Sequence, residues 1–166
     1  MTSQLDLIGV LDAPVFLVNS AKRSTVVTAH YARAGNVVRK VRGWKCRNVR
    51  SLMSEFGAAF QFFDGFGENW HALEECMSYL DEWLDGEGYV VVVERAGDML
   101  REAPDELRWF VAVMNDVARS WAQPIMDNDR FDRPARPFQV VLEFDGDVEV
   151  TRRFEEAGAI LAQAEP

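Results

Sequence analysis

What the chain lacks narrows the field first. It holds only two cysteines, Cys46 and Cys76, and two histidines, His30 and His71, in 166 residues. They are too few and too far apart for a disulfide framework or a metal site of recognised spacing, and two free thiols fit a reducing compartment. No run of 18 apolar residues occurs, so no span of a membrane is expected. Residues 1–11 carry Asp6 and no Lys or Arg. That is unlike a secretory leader, and the expected location is cytoplasmic. No phosphate-binding loop of the Gly-x-x-x-x-Gly-Lys type and no Gly-x-Ser-x-Gly elbow is present. Gly65-Phe66-Gly67 lacks the third glycine and the preceding strand of a dinucleotide loop. No catalytic residue, cofactor or metal is expected.

Basic residues are missing from one long stretch. Residues 51–94 contain ten acids and no Lys or Arg, whereas residues 1–50 contain nine Lys/Arg and two acids. Forty-four residues without a base cannot neutralise their own carboxylates locally, so their surface carries negative potential. A solvated acidic face is one reading, and a patch for a basic partner is the other. Direct binding of nucleic acid is disfavoured, because like charges repel.

Hydrophobic residues make up 48% of the chain, enough for a core. Pro14–Val18 and Thr25–His30, around the polar turn 19–23, read as a hairpin. Val37–Val41 reads as a strand. Val49, Leu52, Met53, Phe56 and Phe60 recur at helical spacing behind Asn48, a helix N-cap by type. A second helix is expected over Glu68–Leu84, with Trp70, Leu73, Met77, Leu80 and Leu84 inward and Glu68, His71, Glu75, Ser78 and Glu82 outward. His71 and Glu75 lie one turn apart, but a convex helix face gives catalysis no water-excluding pocket. Cys76 flanks the inward stripe and reads as a small core residue. Tyr89–Val93 has the continuous apolar character of a strand buried on both faces. A helix over Asp105–Ala122, an exposed loop over 123–137, a strand over Phe138–Phe144 and a C-terminal helix marked by Phe154, Ala157, Ile160 and Leu161 follow. Strands near 37–42, 89–94 and 138–144 separated by helices indicate an α/β fold with a small parallel sheet.

The run Phe66-Gly67-Glu68-Asn69-Trp70-His71-Ala72-Leu73-Glu74-Glu75-Cys76 resembles the barstar family, the intracellular inhibitors of barnase-type ribonucleases. That family carries aromatic-Gly-x-Asn-aromatic/Leu-Asp-Ala-Leu-x-Asp-Cys at the start of its inhibitory helix. The resemblance covers about residues 37–145, which implies an N-terminal extension (1–36, the hairpin), a barstar-like domain and a C-terminal helical extension (146–166). It implies a three-stranded parallel sheet flanked by helices, and a loop and helix from Gly65 to Leu80 that plug a nuclease active site. Carried over by position, the principal helix carboxylate falls at Glu75, a second acid at His71, the loop aromatic at Gly65, a helix aromatic at Glu74 and a later acid at Asp116. Asn69 and Trp70 match in type or size, and Glu68, Ser78 and Tyr79 complete the expected partner-binding set. The resemblance implies a non-enzymatic inhibitor, an antitoxin-like immunity protein of a bacterial cytoplasm, monomeric until it binds a basic ribonuclease or related nuclease toxin. The departures at Gly65, His71 and Glu74 point to a toxin other than barnase. A protein-binding module on the same fold, with a partner that is not a nuclease, is the alternative.

Overall fold

Parallel strands cannot be joined by tight turns. Each needs a crossover, and right-handed crossovers dictate which face of the sheet a helix covers. The computed structural model describes residues 14–127 and 130–164. Five strands form one sheet: β1 (Phe16–Asn19), β2 (Asn36–Arg42), β3 (Gly88–Glu94), β4 (Phe138–Glu143) and β5 (Leu161–Gln163), in the spatial order β2-β3-β4-β1-β5. Every pairing between them is parallel. The helices are α1 (Ser24–Arg33), α2 (Val49–Phe60), α3 (Trp70–Ser78), α4 (Leu107–Trp121) and α5 (Val148–Glu156). The steps β2→β3, β3→β4 and β4→β5 move one way across the sheet and carry α2 to α5. The step β1→β2 moves the other way, so the right-handed rule sends α1 to the opposite face.

The side chains follow that division. Tyr89, Val91, Val93, Val140 and Leu142 pack with Leu52, Phe56, Leu73, Met77, Phe110, Met114 and Phe154 in the larger core. Val90, Val92, Val141 and Leu17 pack with Val27 and Tyr31 of α1 in the smaller one. β3 is therefore buried on both faces, as its unbroken apolar run implies. α2 begins as its sequence predicts: the Asn48 carboxamide accepts from the Ser51 amide at 3.0 Å, and Ser51 Oγ accepts from the Asn48 amide at 3.2 Å.

Three expectations are corrected. The sheet has five strands, not three. No hairpin forms over 14–30. The first of its expected strands is β1, paired on both sides, and the second is α1. The β-branched run Thr25-Val26-Val27-Thr28 favours strand by propensity. The crossover to a parallel β2 requires a helix there, and tertiary demand wins. Only Val27 of α1 is buried, and Val26 is left 56% exposed. At the C-terminus a helix does form, but it stops at Glu156. Leu161 then enters β5, and Ile160 points to solvent at 85% exposure.

Candidate protein-binding surface

α3 is shorter than its hydrophobic stripe suggests. Asn69 caps it: its side-chain oxygen accepts from the Ala72 amide at 2.9 Å, while its amide donates to the Gly67 carbonyl at 3.1 Å. Glu68, just before the cap, holds a left-handed backbone at φ +50°. The helix ends at Ser78, and the chain tightens into a 3₁₀ turn over Leu80–Glu82. Leu73, Met77 and Leu80 are fully buried, and Leu84 nearly so. Trp70 is half-buried, its indole N–H donating to Glu106 at 2.8 Å.

Among the expected contact residues, Gly65, Glu68, Asn69, His71, Glu75 and Tyr79 are exposed, and Trp70, Glu74 and Asp116 are half-buried. Ser78 is corrected: it is 8% exposed and does not belong to an outward stripe. The Ser78 carbonyl accepts from Arg133 Nη1 at 2.8 Å, and the same nitrogen donates to Asp81 at 3.0 Å. Arg133 lies over the Trp121 ring, 3.6 Å from its centroid. This buried guanidinium fastens the loop after α4 to the end of α3. Its neighbours could not be foreseen from the sequence, because Arg133 lies 55 residues beyond Ser78.

The loop Phe62–Gly67 settles where the exposed aromatic sits. Phe62 stacks inward on Phe60, Phe66 and Trp83. Phe63 faces solvent at 63% exposure. A Cβ at Gly65 would come within 3.1 Å of the Phe63 ring, so the ring lies against the exposed glycine. Phe63, two residues before Gly65, is the exposed aromatic of this loop. The signal lay in the pair Phe62-Phe63, of which only one ring can face the core.

The surface beside Glu75 is concave, not convex. Gln61, Phe63, Glu75, Cys76, Tyr79, Glu82 and Trp83 line an open groove of about 590 Å³. Tyr79 and Glu82 also line a second groove, of about 690 Å³, with Asp81, Ile125, Asp127, Phe131 and Arg133 among its walls. Asp116 lines neither; it sits on α4, ion-paired to Arg119. Cys76 has its thiol pKa pushed up by burial, with Glu75 adding to the shift. That is the wrong direction for a nucleophile. Of the ten acids in 51–94, Glu55, Asp81 and Glu94 are ion-paired within the chain. The other seven, Glu68, Glu74, Glu75 and Glu82 among them, have no ion pair among the described residues. No group of three or more His, Cys, Asp or Glu able to hold a metal occurs among those residues, and none of their helices is long and apolar enough to cross a membrane.

The family model for barstar, the barnase inhibitor, matches residues 36–143. The chain belongs to the barstar family. The match runs from the start of β2 to the end of β4 and contains the groove, α3 and Asp116. β1 and α1 precede it, and α5 and β5 follow it, so two strands of the same sheet lie outside the family match. Members of this family are inhibitors, not enzymes. No match was found among curated proteins. Among solved structures, the chain is similar to Cdc6p from Pyrobaculum aerophilum, at 16% identity and a TM-score of 0.47, over 92% of this chain and 38% of that one. It is also similar to a chain of Drosophila ORC bound to AT-rich DNA and Cdc6, at 11% identity and a TM-score of 0.43, over 95% of this chain and 50% of that one. The chain thus spans half or less of the length of these two structures.

Proposed function

We propose that this barstar-family chain inhibits a basic ribonuclease toxin by seating the loop and helix from Phe63 to Tyr79 in the toxin's active site. One observation carries the reading. Glu75 stands exposed and without an ion pair among the described residues, on a capped helix and beside a groove lined by the exposed aromatics Phe63 and Tyr79. A ribonuclease grips phosphate with Arg, Lys and His, and a rigid carboxylate can take the phosphate's place without being cleaved. Fixing it on a helix limits the entropy lost on docking. Glu68 and Asn69 set the entry to the helix, Trp70 anchors its first turn through Glu106, Glu74 adjoins Glu75 in the chain, and His71 stands one turn before it. His71 and Gly65 set the chain apart from the family pattern and favour a cognate toxin other than barnase.

The departures at Gly65, His71 and Glu74 also favour a second reading, in which the same surface binds a protein that is not a nuclease. Affinity capture with the immobilised chain, followed by RNA cleavage with and without the chain added back, separates the two. A captured basic protein whose RNA cleavage is suppressed stoichiometrically supports the inhibitor. A captured partner with no nuclease activity defeats it.

A further inference from the structure

We propose that the carboxyl ends of β1 and β4 form a binding site for one alkali cation, beneath the first turn of α1. The site lies on the face of the sheet away from α3, so it is independent of the inhibitor reading. Topology puts a crevice there. β1 and β4 are neighbours in the sheet, yet their crossovers leave to opposite faces, α1 on one and α5 on the other. Open α/β sheets bind ligands beyond the strand ends at such a switch point. The two strands end on Asn19 and Glu143, which are partners in register. Two residues earlier, Leu17 and Val141 pack in the smaller core with Val27 of α1. Strand alternation therefore turns Asn19 and Glu143 toward α1 as well. The loops that follow the two strands are joined by the Ser20 hydroxyl, which donates to Asp145 at 2.7 Å.

What this corner buries is polar and short of positive charge. Asn19 is 2% exposed and Glu143 4%. Asn19 and Ser24 both reach the Glu143 carboxyl. The Asn19 side-chain oxygen and the Thr28 hydroxyl, one turn beyond Ser24, are enclosed and have no hydrogen-bond partner among the described residues. Lys40 lies close, but its ammonium is paired with Glu94 at 3.3 Å. Two carboxylates thus share one lysine, which leaves one negative charge over. A buried carboxylate is costly unless a positive charge and well-placed polar atoms compensate it. A single alkali ion answers both needs. Glu143 gives it a charged oxygen, Asn19 a carbonyl, and Ser24 and Thr28 hydroxyls, all of them hard donors. Divalent ions gain affinity with the number of charged ligands. One surplus carboxylate beside an ammonium suits them poorly, and the larger His, Cys, Asp or Glu cluster they favour is absent among the described residues.

The test uses the full chain and needs no toxin. The protein is unfolded thermally at neutral pH in tetramethylammonium chloride, whose cation is too bulky for such a site, while NaCl or KCl replaces that salt at constant ionic strength. An ion that binds only the folded chain raises Tm by mass action, by roughly 3–6 °C at ten times its dissociation constant. The expected result is a saturable rise with sodium, potassium or both. Glu143→Gln keeps the shape of the side chain and removes its charge. It should melt no lower than the wild type in tetramethylammonium and should lose the response to alkali ions. Thr28→Val, which removes one oxygen at constant shape, should weaken the response several-fold. The width of the sodium NMR line reads binding without reference to stability: the wild type should broaden it saturably, and Glu143→Gln should not. Equal melting temperatures in the three salts, a sodium line broadened equally by Glu143→Gln, or a stronger response to Mg²⁺ or Ca²⁺ than to either alkali ion would overturn the site.

Discussion

Glu75→Ala should separate binding from folding. Glu75 is exposed and forms no ion pair within the described residues, so its truncation should move stability by no more than about 0.5 kcal/mol. In a complex, a carboxylate pressed against an Arg or Lys of the partner is desolvated together with it. Removing one member of a buried pair leaves the other uncompensated, which typically costs roughly 3–5 kcal/mol. At about 1.4 kcal/mol per tenfold, affinity should fall by roughly two to three and a half powers of ten. Asp116 supplies the internal control. It is already paired with Arg119 at a partly exposed position, so a partner cation gains less from it. Asp116→Ala should weaken binding by no more than about 1 kcal/mol, roughly fivefold. The measurement is an inhibition titration against the captured partner, with thermal unfolding of each variant alongside. An unchanged Kd for Glu75→Ala would refute the argument, as would equal losses in the two variants, because the reasoning turns on Glu75 being uncompensated and Asp116 not.

Three further outcomes follow from the same physics. The seven acids in 51–94 with no ion pair among the described residues should steer a basic partner, so the association rate should fall steeply between about 20 and 500 mM salt, as the Debye length shrinks from roughly 20 to 4 Å; a flat rate would remove the steering. Cys46 is fully buried and its thiol is pushed up to about 12 by burial, whereas Cys76 borders the groove. A thiol reagent at pH 8 should therefore label Cys76 first, and bound partner should protect it; the reverse order would contradict the placement. Two carboxyls should pull stability in opposite directions with pH. The Arg42 hydrogen bonds, at 2.7 and 2.9 Å, hold Glu55 below its usual pKa, so its contribution is present at neutral pH and is lost as pH falls through the lowered value. Burial raises Glu143 more than Ser24, Lys40 and Asn19 lower it, so stability is lost as pH rises through its folded pKa. Unfolding at pH 4.5 and 7.5 should show Glu143→Gln stabilising by about 1 kcal/mol at the higher pH only, and Glu55→Gln destabilising most there.

Much of this molecule was written in local pattern. The boundaries of β3 and β4 follow closely from their apolar runs, because strands buried in a parallel sheet have little polar alternation to blur them, and the edge strand β2 was marked by Val37, Val38 and Val41. Asn48 caps α2 through a bond that reaches only three residues, so that helix start could be read directly, whereas α3 starts at Trp70 behind its cap Asn69, two residues after the expected Glu68. The motif from Phe66 to Cys76 pointed to the family through its order and spacing. The tertiary structure decided the rest, wherever the deciding partner is distant along the chain. Thr25–His30 has strand propensity, but β1 and β2 are both parallel members of one sheet, and the crossover between them makes the segment a helix. Ser78 carries an outward-facing spacing, but it lies buried where Arg133 bonds its carbonyl from 55 residues further along the chain. Phe63 and Phe62 are the same residue type side by side, and only the packing of Phe62 against Phe60, Phe66 and Trp83 leaves Phe63 as the exposed wall of a groove. Periodicity describes one element at a time; a concave surface is made by several elements meeting, and no single stretch of sequence contains it.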